Sequence, residues 1–167
     1  MKEKANSTTS EPVHVRLAME ADRARLIPLV NSAFSIETFL EGTRTDEERL
    51  AATMRKGHIL LAEDQGGEPV GCIYTEVRGE RGYMGMLAVD PARQGTGLAS
   101  LLVEAAEEYL RQQGCTVVDI SVLSLRSELL PLYRRFGFVE TGTEEFAFPR
   151  TFKTDVECHC VVMSKPL

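Results

Sequence analysis

The spacing of apolar residues changes period along the chain, and the changes mark out its elements. His14 to Leu17 fits a short strand, and Ala21 to about Phe34 carries Leu26, Ile27, Val30, Ala33 and Phe34 at helical spacing. Ser35–Arg44 has little periodicity and reads as a loop or a broken second helix. Thr45-Asp46-Glu47-Glu48 has the form of a capping box, in which the Thr45 hydroxyl accepts from the Glu48 amide. It predicts a helix that runs to Lys56 and stops at Gly57. His58–Ala62, Val70–Val77 and Tyr83–Val89 are rich in strand formers, and the turns at 64–67 and 79–82 are short enough for antiparallel hairpins. From Gly97 onward Leu98, Leu101, Leu102, Ala105, Ala106 and Tyr109 form one stripe, with Glu104, Glu107, Glu108 and Arg111 opposite, until Gly114. Thr116–Leu123 reads as a buried strand, Glu128–Phe136 as a short helix, and Phe138–Thr141 and Val156–Met163 as the last two strands. The order β-α-α-β-β-β-α-β-α-β-β predicts an α+β fold, a mixed and mostly antiparallel sheet flanked by helices.

Composition narrows the class. A hydrophobic fraction of 43% and a charged fraction of 26% over 167 residues suit one globular domain over residues 13–167, behind a flexible polar tail at residues 1–12. No apolar run approaches the roughly 18 residues that span a bilayer, and the tail lacks the apolar middle of a signal peptide. A cytoplasmic protein with no membrane partner is expected, and Cys72, Cys115, Cys158 and Cys160 then read as free thiols. The net charge of -6 argues against nucleic acid as a partner and would suit a cationic substrate.

The most informative stretch runs from Met86 to Ser100. A strand stops at Pro91, Gly95 and Gly97 let the chain turn, and a long helix starts at once. A helix N-terminus offers unpaired N–H groups and about half a positive charge, which suits a pyrophosphate. A tight turn that only caps a helix has the same signature. A P-loop would need a Gly-Lys pair that is missing here, and Asp119, the one acidic residue near the spacing of a dinucleotide fingerprint, falls in mid-strand. The segment Gln94-Gly95-Thr96-Gly97-Leu98-Ala99 resembles the signature of the GCN5-related N-acetyltransferase (GNAT) superfamily at every fixed position. The resemblance implies that the amides of Gly95 to Ser100, with Gln94, Thr96, Gly97, Leu98 and Ala99 among them, hold the pyrophosphate of acetyl-CoA as co-substrate. It further implies a splayed central strand pair, in which the backbone of Leu87, Ala88 and Val89 pairs with the pantetheine arm and an amide near Val89 faces the oxyanion.

A second matching stretch, Arg126 to Phe138, contains Leu132-Tyr133 and Gly137-Phe138. Ser127 is a natural helix cap and Gly137 a natural left-handed stop, and Leu129, Leu130, Tyr133 and Phe136 share one face. By itself Tyr133 reads equally well as a core residue. The resemblance implies that Tyr133 is the catalytic acid that protonates the CoA thiolate, and phenol and thiol pKa values near 10 and about 8.5 suit that transfer. Many members carry asparagine where this chain has Arg126, which could reach an acidic substrate group or hold Glu128.

The expected reaction is acetyl transfer to a small-molecule amine by direct attack in a ternary complex. A protein or peptide acceptor, or a non-catalytic CoA-binding regulatory module, are the alternatives, and a homodimer remains open. The strand before the loop carries no carboxylate, so the general base is sought at Glu76 or through water at Ser121. Cys72 and Cys115 lie near no base, and Cys158-His159-Cys160 puts both thiols on one strand face with the imidazole opposite, so no metal is expected. Acceptor choice is expected from residues 31–44 and 143–156. Phe34, Glu37, Phe39 and Glu41 in the first, and Glu144, Glu145, Phe146, Phe148 and Asp155 in the second, would suit an arylalkylamine or polyamine, and equally an exposed acidic loop.

Overall fold

The structure, a computed structural model, describes residues 12–147, 150–153 and 156–167. Phe148, Asp155 and all but the last residue of the expected tail lie outside the described residues. Seven strands form one sheet in the order β1-β2-β3-β4-β5-β7-β6. They are β1 (His14–Leu17), β2 (His58–Glu63), β3 (Pro69–Arg78), β4 (Arg81–Val89), β5 (Val117–Leu123), β6 (Val139–Glu145) and β7 (His159–Pro166). Every pairing is antiparallel except β4 with β5, which are joined through a helical crossover and run parallel. This is the expected α+β architecture.

Helices cover both faces. Alternation along each strand splits the apolar residues into two cores. On one face α3 (Leu98–Gln112) buries Leu98, Leu102, Val103, Ala106 and Leu110 against Met84, Val118, Ile120 and Val122, with α4 (Leu129–Arg135) beside it. On the other, α1 (Arg23–Ala33) and α2 (Glu47–Lys56) bury Leu26, Val30 and Leu50 against Ile59, Leu61, Cys72 and Ala88.

Several boundaries differ from the sequence expectation, each for a tertiary reason. Asp46, not Thr45, caps α2: its carboxylate accepts from the Arg49 amide at 2.8 Å. Thr45 is withdrawn because Asn31 of α1 clasps its backbone, with Thr45 N–H donating to Oδ1 at 2.9 Å and Nδ2 donating to the Thr45 carbonyl at 3.1 Å. Gly57 ends α2 in extended rather than left-handed backbone, and a Cβ there would meet the Thr75 carbonyl at 2.2 Å. Ser127 caps nothing, since Glu128 occupies the cap position of α4 with no side-chain bond. The last strand starts at His159 rather than Val156 and continues to Pro166. Its polar end is held by partners that a hydrophobic pattern does not reveal: Ser164 donates to Asp119, and Lys165 reaches Glu107 at 2.8 Å.

The Asn31–Thr45 clasp brackets the connection between α1 and α2. Asn31→Ala strands the amide of Thr45, which is only 4% exposed, so unfolding in urea should show a loss of about 1–3 kcal/mol.

Candidate active site

The site begins with a flaw in the sheet. β4 and β5 pair only through Arg81–Tyr83 opposite Val117–Asp119, and then separate. The cause lies on β4. Against β3, Cys72 faces Ala88 while Tyr74 faces Gly85, so Met86 and Leu87 together oppose the single residue Ile73. That is a β-bulge, and Met86 within it adopts φ +49°. A non-glycine residue in that conformation costs about 1–2 kcal/mol, which marks a fixed local distortion. The bulge also slips the alternation. Tyr83 and Met86 pack toward α1, whereas Met84, Leu87 and Val89 pack toward α3. Beyond Tyr83 the edge of β4 that faces β5 has no ladder partner there.

The gap opens into a cleft of about 790 Å³ lined from both helix layers. Ser32–Phe34 border it from α1, Leu98–Ser100 from α3, and Leu129, Leu132 and Tyr133 from α4. It therefore passes through the sheet.

At the α3 side lies the glycine loop. Asp90 accepts from the Ala92 amide at 3.0 Å and starts a tight turn over Pro91–Arg93. Gly95 and Gly97 then adopt φ +79° and +81°, and a Cβ on either would meet nothing within 4 Å. Both border the cleft, so left-handed backbone, not crowding by the protein, is what demands glycine. Gly97 occupies the cap position of α3 with no side-chain bond, the first turn holds no acidic residue, and the first helical bond is from Leu101 to Gly97. The amides of Leu98, Ala99 and Ser100 are thus free of helical partners beside open space. These residues fit a pyrophosphate. Leu87, Val89, Gln94, Gly95, Gly97, Leu98, Ala99 and Ser100 all line the cleft. Ala88 and Thr96 do not: the Ala88 side chain is wholly buried against α1, and Thr96 donates to the Arg93 carbonyl at 2.6 Å.

Tyr133 stands on α4 with its ring edge-on to Phe136 and Phe138, centroids 6.1 and 5.9 Å away. Burial pushes its phenol up to about 12, with Tyr83 adding to the rise and Arg126 opposing it. No hydrogen bond to a described residue holds its hydroxyl, although the side chain borders the cleft. A core tyrosine ordinarily finds an acceptor. Tyr83, which the sequence did not single out, borders the same gap from the opposite core and is likewise raised by burial.

The sequence candidates for a base separate. Glu76 is absent from the cleft: it pairs with Arg78 at 3.0 Å and accepts from Tyr74, and the Arg78 bond holds its pKa down. Ser121 does line the cleft, and its hydroxyl donates to Glu144 on β6. Burial lifts Cys72 to about 12 and raises Cys115, so neither favours a thiolate. His159 lies outside the cleft, and its amide donates to Ser124 at 3.1 Å.

The two segments expected to choose the acceptor meet each other. Leu40 bridges Phe152, Glu41 N–H donates to Thr151 at 2.8 Å, and Lys153 N–H donates to Phe39 at 3.0 Å. In the first segment Glu41 accepts from the Thr151 hydroxyl and Glu37 is buried among arginines, whereas Glu144 and Glu145 of the second are exposed on β6, Glu144 accepting from Ser121. Sequence reading weighed the glutamates of these segments and passed over Arg44 and Arg150, which line the cleft.

A family model described as Acetyltransferase (GNAT) family matches residues 24–138. Among curated proteins, the mycothiol acetyltransferase of Propionibacterium freudenreichii subsp. shermanii is 31% identical over 90 residues, 52% of this chain and 29% of that protein. The protein of the same name from Clavibacter sepedonicus is 34% identical over 104 residues, 61% of this chain and 34% of its own. The match thus spans about a third of these relatives' length. Among solved structures, the ribosomal-protein-S18-alanine N-acetyltransferase of Escherichia coli superposes with a TM-score of 0.73 at 18% identity, covering 93% of this chain and 94% of that one. At that identity the likeness concerns the fold.

All four tyrosines are raised above the ordinary phenol value, chiefly by burial. A raised phenol favours the native state fully below the unfolded pKa of about 10, and Tyr133 loses that contribution as pH climbs from there to about 12. Phenolate absorbance of the native protein should therefore develop well alkaline of the urea-unfolded chain. A native midpoint near pH 10 would contradict the burial described.

Proposed function

The chain belongs to the acetyltransferase (GNAT) family, and from that footing we propose that it transfers the acetyl group of acetyl-CoA to the amine of a small molecule by direct attack in a ternary complex. The observation that carries this reading is Tyr133, half-buried at a gap that also opens onto the glycine loop, with no hydrogen bond from its hydroxyl to a described residue. Acetyl-CoA would supply an acetyl group already activated as a thioester. The amides of Leu98–Ser100, with the left-handed turns at Gly95 and Gly97, hold its pyrophosphate. The free edge of β4 beyond Tyr83 offers ladder groups to the pantetheine amides, as a sheet edge receives an added strand.

The amine nitrogen attacks the carbonyl carbon, the carbon–sulfur bond breaks, and the phenol of Tyr133 gives its proton to the departing sulfur. Water then restores the phenol. A phenol near 12 facing a thiol of ordinary pKa would be a poor match, but burial acts on both partners. A thiolate formed in the gap is disfavoured by desolvation as the phenolate is, which brings the two acids closer together. Ser121, with Glu144 behind it, provides an exit for the proton that the amine sheds.

A small acceptor is favoured over a polypeptide by the bridge between residues 39–41 and 151–153, whose neighbours Leu40, Phe146 and Arg150 wall the α1 side of the cleft. A non-catalytic module gives no reason for a phenol that borders the cleft without a hydrogen bond to a described residue.

Two measurements test the reading. Tyr133→Phe keeps the ring contacts and removes the donor, so single-turnover rates should fall by roughly 10²–10⁴-fold with acetyl-CoA affinity little changed. A folded variant with unaltered rate would show Tyr133 to be packing alone. Gly97→Val should abolish acetyl-CoA binding by calorimetry while the circular dichroism spectrum persists, because the left-handed turn that aims the amides is denied to valine. Retained wild-type affinity would remove the glycine loop from the site.

A further inference from the structure

Tyr83 is held by its ring, and its hydroxyl is left at the gap. It is the last residue of β4 with a partner on both sides, opposite Glu76 of β3 and Asp119 of β5, so it stands where the gap begins. Half-buried, it borders the cleft from the α1 side, whereas its neighbour Met84 packs toward α3. Tyr74 meets its ring edge-on at 6.3 Å between centroids, and the Arg78 guanidinium lies over it at 4.3 Å. Glu76 fixes both neighbours, accepting from the Tyr74 hydroxyl at 2.8 Å and from Arg78 Nε at 3.0 Å. The carboxylate that the sequence offered as a base is thus a strut for this ring.

Gly85 completes the seat. It lies opposite Tyr74 in the β3–β4 ladder, two residues on from Tyr83. A Cβ there would meet the Tyr83 hydroxyl oxygen at 2.9 Å and two ring carbons at 3.0 and 3.2 Å. The phenol therefore lies along β4 over bare backbone, and both residues border the cleft. No described residue shares a hydrogen bond with that hydroxyl. Burial raises the phenol, so at neutral pH it stays neutral, with a proton to give and lone pairs to accept. It adds to the rise at Tyr133, so the two phenols sense each other across the passage from opposite cores.

On the acetyltransferase reading the pyrophosphate sits on the α3 face, which leaves the α1 face to the nucleophile. Tyr133 serves the leaving sulfur. An amine that attacks through its lone pair must also place its N–H groups, and a desolvated N–H without an acceptor is costly. We propose that the Tyr83 hydroxyl accepts a hydrogen bond from the attacking amine and so aims its lone pair at the thioester carbon, with Gly85 as the seat that lets the phenol reach it. Tyr83 keeps its own proton throughout; it holds the nucleophile and is not the base. This rests on the acetyltransferase reading for its chemistry.

The probe is hydroxylamine, a small amine that is largely neutral at neutral pH and needs no side-chain recognition. Acetohydroxamate formed from acetyl-CoA is read above the enzyme-free rate. Tyr83→Phe keeps the ring contacts to Tyr74 and Arg78. Its second-order rate constant for hydroxylamine should fall roughly 3–10-fold, the range of one neutral hydrogen bond, with the acetyl-CoA Kd and the Tm unchanged. Tyr83→3-fluorotyrosine separates the two roles open to a phenol. Fluorine makes the hydroxyl a stronger donor and a weaker acceptor, so a contact to the amine predicts a slower reaction and a contact to the acyl oxygen a faster one. Gly85→Ala should displace the phenol, reproduce the loss seen in Tyr83→Phe, and add little to it in the double variant. An unchanged rate in Tyr83→Phe, a loss matched by weaker acetyl-CoA binding, a faster reaction with 3-fluorotyrosine, or additive losses in the double variant would each overturn the proposal alone. A wild type that forms no acetohydroxamate above the enzyme-free rate would overturn the acetyltransferase reading and this proposal with it.

Discussion

β4 and β5 part after three residue pairs, and the chemistry of the molecule is arranged around that parting. A parallel pair in mid-sheet normally continues, because each lost ladder bond leaves an N–H or a C=O to be satisfied elsewhere. Here the bulge at Met86 and Leu87 turns β4 away, while β5 stays paired with β7 along Val117–Leu123. The opening joins the two faces of the sheet without breaking either core, since the residues on each side of β4 still find α1 or α3. A cleft through a sheet lets two reactants enter from opposite sides and meet where backbone groups are free. The glycine loop follows directly at the end of β4, so the strand that makes the gap also delivers the helix N-terminus.

Desolvation is the second organising effect, and it acts on Tyr133, Arg44 and Arg150 at the cleft and on Cys72 in the core beside it. It holds Tyr133 protonated and lifts the Cys72 thiol, and it disfavours the charges of Arg44 and Arg150. A low-dielectric passage of this kind strengthens each remaining electrostatic contact and penalises each unpaired one. Arg150 Nη1 is a buried side-chain atom without a hydrogen bond, and it lies 3.7 Å from the Glu37 carboxylate, whereas the half-buried Tyr133 borders the cleft.

The α1 side of the cleft depends on pairing between connections far apart in sequence. Asn31 and Thr45 close off the α1–α2 connection at its ends, and residues 39–41 pair with 151–153 in its middle. Arg150 reaches back to the carbonyls of Glu41 and Gly42, so its guanidinium is aimed by the backbone of the other connection. The acidic overall charge of the chain is thus no guide to this region, where Arg126 and Arg150 pair with the buried Glu37.

The sequence by itself determined the element order, the mixed sheet, the glycine loop at the start of α3 and the tyrosine on α4. Each is written in local periodicity or in a short motif, and local chemistry is what the chain carries with it. Gly95 and Gly97 are left-handed for reasons that hold within a few residues, and the stripe from Leu98 to Tyr109 needs only a helix to make sense. Tertiary structure decided what depends on a distant partner. Thr45 lost its cap role to Asp46 because Asn31 holds its backbone, and β7 slid toward its polar end because Asp119 and Glu107 satisfy Ser164 and Lys165. Glu76 left the candidate site because Tyr74 and Arg78 occupy it. Arg44, Arg126 and Arg150 came together around Glu37 although 106 residues separate the first from the last in sequence. Charge pairing at that separation has no signature in spacing or composition; it exists only once the two connections are packed against each other.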